Sequence, residues 1–383
     1  MIYLDNNATT QVVPEVLEAM LPFLQHSHGN PSAAYSLSAE AKTAISNTRE
    51  DVAKLLGAGD PNEIIFTSGG TESDNWAILG ALEENPKKKH IIATLVEHEA
   101  VRKLCQKLEQ QNFRVTWLNV DESGSLDLEE LRNALCDDTA VVSTMLANNE
   151  TGVLFPVDQI GKITKEHSNA LFHVDGVNAV GKIPIDLKST QIDLFSLSAH
   201  KFHGPKGIGA LYIRDRVKLP SILIGGGQEC GRRAGTEAVH QIAGLGAAAR
   251  LATDLTPMGA IGNMRDMLEQ AILQTIPNTF VNGTADPSKR LPNTSNISFE
   301  NTNGEMILHR LDENSVCVST GSACNSHDRT VSPVLKAMNV PYSRAMGSIR
   351  FSLGRLNRSD EIEKTIRLMP QIVSELRAIV GAN

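Results

Sequence analysis

Aromatic residues are scarce in this 383-residue chain, 4% against 41% hydrophobic residues in all. A core here must be built from Leu, Ile, Val, Ala and Met rather than from large rings. Cysteine is scarce too: Cys105, Cys136, Cys230, Cys317 and Cys324 are the only five, with no CxxC pair among them. That spacing argues against a structural zinc site, and unpaired thiols in odd number fit a reducing, cytoplasmic setting. No apolar run approaches about eighteen residues, so no membrane span is expected. The start, MIYLDNNATT, lacks a basic stretch followed by an apolar one, so no signal peptide is expected either. The formal net charge of −8 speaks against a dedicated nucleic-acid surface and suits a protein that meets small molecules or protein partners.

What is present is a rhythm. The length exceeds what one core usually organises, which predicts two domains. Between residues 14 and 255, short apolar strands alternate with helix-period segments. The expected strands are Glu63–Thr67, His90–Leu95, Arg114–Leu118, Ala140–Met145, Ala170–Val174, Leu194–Ser198 and Gly209–Ile213. Helices are expected over Ser73–Leu82, Ala100–Gln111, Leu128–Ala134 and Val157–His167. Such alternation predicts an α/β domain, a mostly parallel sheet covered on both faces, with its last two strands an antiparallel hairpin. After a helix over Ala238–Thr253 the order changes. Met264–Thr275 (helix), Thr294–Phe299 (strand), Gly304–Asp312 (helix), Ser315–Ser319 (strand), Ser332–Met338 (helix), Gly347–Ser352 (strand) and Ser359–Ile379 (helix) read as a smaller α+β domain. Residues 1–13 are expected to join residues 256–383 in it.

Several strand ends carry polar residues of a particular kind. Lys201 follows the strand Leu194–Ser198, hemmed by Ser198, His200, Gly204 and Gly207. A lysine there is ordinarily solvated, but partial burial lowers its pKa, and a neutral amine is what Schiff-base chemistry needs. The run SGGTESDN over Ser68–Asn75 lets backbone N–H groups approach a phosphate, with Thr71 and Ser73 as further donors; the plainer reading is a helix cap at Thr71. Asp175 closes a buried strand, where an acid needs a cationic partner, or else merely caps a turn. His98 and Asn149 also follow strand ends. In an open parallel sheet all these positions share one crevice. Cys324 lies in TGSACNS, whose small polar residues favour an accessible, mobile loop, whereas Cys317 alternates with Val316 and Val318 like an inert core thiol. Arg350, on an apolar strand, could fork onto a carboxylate of a substrate or pair with an acid of its own domain.

Together these residues resemble the cysteine desulfurases of the NifS/IscS type, in the class V group of pyridoxal-phosphate enzymes. The likeness runs from YLDNNATT at residues 3–10 to RFSLGR at 350–355, through SLSAHKFHGPKGIGALYI, GGGQECGRRAGTEAVHQIAG and TGSAC. It implies the type I fold of pyridoxal-phosphate transferases, with a seven-stranded sheet in the large domain. It also implies that Lys201 carries the cofactor and later moves the substrate's α-proton. Gly70, Thr71, Ser198 and His200 would hold the phosphate, helped by Thr236 from the second subunit of a homodimer. His98 would stack on the ring, Asp175 would pair with its nitrogen and Asn149 would contact its oxygen. Arg350 would clamp the carboxylate of L-cysteine. Cys324 would take the sulfur as a persulfide and pass it to an acceptor protein for iron–sulfur cluster assembly, nitrogenase maturation or thiolation of transfer RNA or DNA. No resident metal is implied, only a transient iron–sulfur contact at Cys324.

Two departures stand out. Asn178 occupies the place where the family usually has Gln, which reaches the cofactor's phenolic oxygen; one methylene less predicts a lost or water-bridged contact. GNPSAAYS at Gly29–Ser36 lacks a His that often precedes the last Ser. A selenocysteine lyase or an aminotransferase of the same group is the nearest alternative, and Cys324 favours the desulfurase. A non-catalytic sulfur-transfer scaffold is disfavoured because Lys201 and Cys324 are both present. A dinucleotide oxidoreductase is disfavoured because no GxGxxG follows the first strand.

Overall fold

The structure is a computed structural model and describes residues 1–320 and 331–381. The N-terminal Ile2–Tyr3 (β1) pairs in parallel with a short strand near the other end of the chain. Two helices follow, Pro14–Gln25 (α1) and Ala39–Leu56 (α2). Then come the strands of the central sheet: Ile64–Thr67 (β2), His90–Thr94 (β3), Arg114–Leu118 (β4), Thr139–Met145 (β5), Leu171–Asp175 (β6), Leu194–Ser198 (β7) and Gly209–Ile213 (β8). Their order is β2-β8-β7-β6-β5-β3-β4. Only β8 runs against the rest, paired antiparallel with both β2 and β7. Residues of β3, β5, β7 and β8 are buried throughout, as strands covered on both faces must be.

Gly70–Glu84 (α3) lies over the sheet and buries residues all round, Trp76, Ala77, Ile78, Ala81 and Leu82 among them. Glu99–Glu109 (α4) instead buries Val101, Cys105 and Leu108, a stripe at i, i+4 and i+7 that faces the protein. A second, three-stranded sheet has the order Ser348–Ser352 (β12), Thr294–Phe299 (β10) and Thr279–Val281 (β9), all antiparallel. Val316–Cys317 (β11) is the strand that receives β1. Ile2, Leu4, Leu268, Ile297, Phe299, Phe351 and Val373 belong to the hydrophobic cluster around this sheet, separate from the one beneath β2–β8. Among the described residues no helix is long and apolar enough to cross a membrane, and no cluster of side chains could hold a metal ion.

The α/β reading and the antiparallel final pair agree with these elements, with differences at specific places. The helix expected from Met264 begins at Pro257, whose fixed φ suits a first helical position; Gly259 and Gly262 dilute the apolar period there. The strand expected over Ser315–Ser319 shortens to β11, because beyond it only Ser319 makes a bridge, to Arg350. The strand β9 and the helices α1 and α2 add to the expected set.

Candidate functional site

Because β2, β3, β5, β6 and β7 point the same way, the loops after them open on one edge of the sheet. The loop after β2 turns at Gly69, with φ 149° and ψ −176°, a conformation essentially reserved for glycine. A Cβ on Gly70 would stand 2.6 Å from Val177 Cγ2, and one on Gly209 would stand 2.8 Å from Gly69 Cα. Close backbone approach therefore leaves the first N–H groups of α3 facing the crevice, at the positive end of the helix dipole. Helix α3 starts at Gly70, so Thr71 lies inside the helix, exposed, and is not its cap. Ser73 corrects the sequence reading: its hydroxyl turns inward to Thr67 Oγ1 at 2.8 Å and the Gly69 carbonyl at 3.2 Å. Ser198 is buried, and its hydroxyl makes no hydrogen bond among the described residues. His200 engages Thr9 Oγ1 through Nδ1 at 3.1 Å, and burial pushes its imidazole down to about 4.

His98 caps α4, its Nδ1 accepting from the Ala100 N–H at 3.2 Å, which places the proton of the neutral ring on Nε2. Burial lowers its pKa. Asp175 ends β6 with Oδ1 accepting from the Val177 N–H at 2.9 Å. Its carboxyl is raised by burial, opposed by His98, the Val177 N–H and Lys201. On the same face, strand alternation sets His173 between Ser143 and Ser196, each 2.9 Å from a ring nitrogen, with Asp74 Oδ1 3.5 Å away. Burial and the charge of Asp175 raise Asp74 well above its usual value. Burial likewise pushes Glu97 up to about 8 although Thr94 and the Met145 N–H donate to Oε1. Burial thus makes Asp74 and Glu97 hold their protons more tightly than ordinary carboxyls, while Asp175 has His98, the Val177 N–H and Lys201 opposing its burial.

Glu97 has a consequence for stability. The folded chain holds this proton more tightly than the unfolded chain, so the contribution is complete below about pH 4.5 and is lost as pH rises towards about 8. Glu97→Gln keeps both acceptor contacts without a titrating proton. Its melting temperature should fall between pH 5 and pH 9 by roughly 2 °C less than that of the native protein. Equal slopes in thermal unfolding at the two pH values would discount this account.

The amine of Lys201 donates to the Asn7 and Ala8 carbonyls, at 2.5 and 3.1 Å. Arg350 is 3% exposed on β12, with one terminal nitrogen on Asp5 Oδ1 at 2.6 Å and the other on the Asn149 carbonyl at 2.9 Å. Among the described residues its buried Nε has no hydrogen-bond partner. Arg350 thus does pair with an acid, Asp5 of the N-terminal segment. Asn149 lies half-buried after β5 and accepts through its backbone. Asn178 gives its side-chain oxygen to Lys182 Nζ at 2.8 Å and its amide to the Asn148 carbonyl at 3.5 Å. Thr236 is exposed in the loop before Val239–Thr253. That loop's Arg233 forks onto Glu72 at 2.9 and 3.1 Å, tying it to the start of α3. Cys324 lies outside the described residues, and Cys317 is half-buried with its thiol raised by burial. Sequence reading missed Asp5, Asn7, Asp74, Glu97 and Lys182, whose importance rests on contacts with distant segments.

These groups fit pyridoxal phosphate. The Gly69–Gly70 turn and the first N–H groups of α3 offer an anion cradle at a helix N-terminus. Asp175 keeps a second carboxylate oxygen for a protonated ring nitrogen, His98 offers a flat ring, and Lys201 supplies a primary amine.

The aminotransferase class-V family profile matches residues 2–365. "Cysteine desulfurase 2" of Trichormus variabilis is 53% identical over 380 residues, 99% of this chain and 94% of that one. A solved structure described as a NifS-like protein superimposes with a TM-score of 0.91 at 38% identity, covering 98% of this chain and 100% of the other. Another, SspA in complex with cysteine, gives a TM-score of 0.82 at 36% identity over 92% of this chain and 99% of its own. With profile, sequence and fold agreeing over nearly the whole length, the chain belongs to the pyridoxal-phosphate-dependent class-V aminotransferase family, among its cysteine desulfurases.

Proposed function

We propose that this enzyme removes sulfur from L-cysteine, with Lys201 as the amine that holds the cofactor and moves the substrate's α-proton and Cys324 as the thiol that receives the sulfur. The observation that carries the reading is the meeting of Lys201, Asp175, His98 and the Gly69–Gly70 cradle on one sheet edge, below a buried arginine with a spare donor. When bound, pyridoxal phosphate supplies an electron sink for bonds at the substrate's Cα. Gly70, Thr71, Ser198 and His200 would hold its phosphate, joined by Thr236 from a second copy in a homodimer. Asp175 would keep the ring nitrogen protonated, His98 would cover the ring, and Asn149 would contact its oxygen, with Asn178 beside it engaged by Lys182. Arg350 clamps the substrate carboxylate through Nε and a terminal nitrogen, replacing water that would otherwise solvate it.

At the sulfur, the Cys324 thiolate forms an S–S bond as the substrate's S–Cβ bond breaks. The electron pair stays with the carbon skeleton, which takes up protons and leaves as alanine, so no outside oxidant or reductant is consumed. The persulfide then passes to an acceptor protein in the cytoplasm, in iron–sulfur assembly or a thio-modification. We further read residues 14–255 as the cofactor-binding domain and residues 1–13 with 256–383 as the domain that brings Cys324.

The test is stoichiometric. Incubated with L-cysteine and excess thiol, the enzyme should release alanine and sulfide in a 1:1 ratio. A keto acid in place of alanine would assign an aminotransferase instead.

A further inference from the structure

The mechanism above does not use Lys182, the most unusual buried group near it. It is 7% exposed, yet among the described residues its amine pairs with no carboxylate. Nζ donates to the Asn178 carbonyl at 2.9 Å, Asn178 Oδ1 at 2.8 Å and Asn7 Oδ1 at 3.1 Å. All three are acceptors only. An ammonium has three N–H groups to satisfy them, whereas a neutral amine has two and would aim its lone pair at an oxygen. Asn7 also accepts the Lys201 amine on its backbone carbonyl, so one residue holds both lysines. Lys182 and Lys201 line the same cavity of about 30 Å³, with Asn6, Thr10, Asn293 and His203. That is room for about one water, too little to screen one charge from the other.

We propose that Lys182 is a positioning residue for Lys201, a buried ammonium held by Asn178 and Asn7 that keeps the neighbouring amine neutral and ready to accept a proton. The inference rests on the reading of Lys201 as the cofactor lysine. Other charged or titratable groups also face this pair: Asp175 and His98 from the ends of β6 and β3, His200 and His203 from beside Lys201, Arg350 from β12 and Arg355 from the cavity wall. Asp175 favours charge on Lys201 and the arginines oppose it. Burial, Lys201 and Arg350 push the Lys182 amine itself well below its usual value. The three acceptor oxygens around Nζ are what oppose that push. Asn178 gains a role here as well: the shorter amide ends on Lys182, one residue turn away, and its Oδ1 is one of the three acceptors.

The test titrates the visible absorbance of the bound cofactor against pH in native enzyme, Lys182→Met and Lys182→Arg. The midpoint should rise by about one unit in Lys182→Met and stay within about 0.3 units of native in Lys182→Arg. An unchanged or lower midpoint in Lys182→Met overturns the proposal. A readout without variants uses the cofactor-free native enzyme: reductive methylation of Lys201, followed by mass spectrometry, should show its amine titrating below the usual value of about 10.4. Titration at or above that value overturns the proposal even where Lys182→Met does not fold. Borohydride reduction and peptide mapping keep the two readings apart. A tag on a residue other than Lys201 removes the cofactor-lysine reading, while a tag on Lys201 with an unshifted midpoint removes only the role of Lys182.

Discussion

Cys324→Ser enzyme is expected to remain yellow, to bind L-cysteine and to release sulfide at less than about 1% of the native rate. The serine hydroxyl stays protonated at neutral pH and is a far poorer nucleophile towards sulfur than a thiolate. The cofactor contacts assigned here come from the strand ends of the large sheet, so cofactor content and the visible spectrum should match the native protein. The spectrum on adding L-cysteine should also change as in the native protein, because substrate capture relies on Lys201 and Arg350. Sulfide and alanine measured together decide the matter. Undiminished sulfide release would refute Cys324 as the sulfur carrier, and a colourless variant would mean that the residue supports cofactor binding instead.

Lys201→Ala is the second large effect. The side chain makes hydrogen bonds to the Asn7 and Ala8 carbonyls, and both belong to a segment held by many other contacts, so the variant should fold. It should lose the borohydride-reducible cofactor bond and turn over L-cysteine at least about a thousandfold more slowly, because amine and proton carrier go together. Added amine should restore part of the rate by entering the space left. A variant that still becomes covalently labelled on borohydride treatment and keeps more than about a tenth of its activity would transfer the role to another lysine.

Lys201, Asp175 and His98 could be placed from the sequence because Asp175 closes its strand and the other two follow theirs within a few residues. A local reading of apolar run and polar end is then enough. The strands themselves were legible because a sheet covered on both faces needs unbroken apolar runs, and the runs ending at Ser198 and Ile213 supply them. Helices α1 and α2 were harder. In α1, Leu17, Leu21 and Leu24 recur at i, i+4 and i+7 yet are exposed, while only Val16 is buried, so the apolar stripe does not mark the face that packs. In α2 the buried stripe includes Thr48, which hydrogen-bonds the Ile242 carbonyl and would not be read as core. Lys182 had no local signal at all. Its partner Asn7 lies 175 residues away, and nothing in GVNAVGK distinguishes a buried ammonium from a surface lysine. Asp74 and Glu97 were hidden for the same reason: a carboxyl comes to hold its proton more tightly only through what buries it.

The N-terminal segment bears on when the enzyme becomes competent. Asp5 meets Arg350, the Asn7 N–H meets Ser352, and its side chain meets Asn293 and Thr294. The residues that brace Lys201 are thus made well before their partners. At about 5–20 residues per second, many seconds separate the two. The strands from Ile64 to Ile213 can assemble in that interval, whereas the finished floor of the crevice must await Asn293, Arg350 and Ser352. A nascent chain halted before Arg350 would carry the phosphate cradle and the lysine without the full brace beside them.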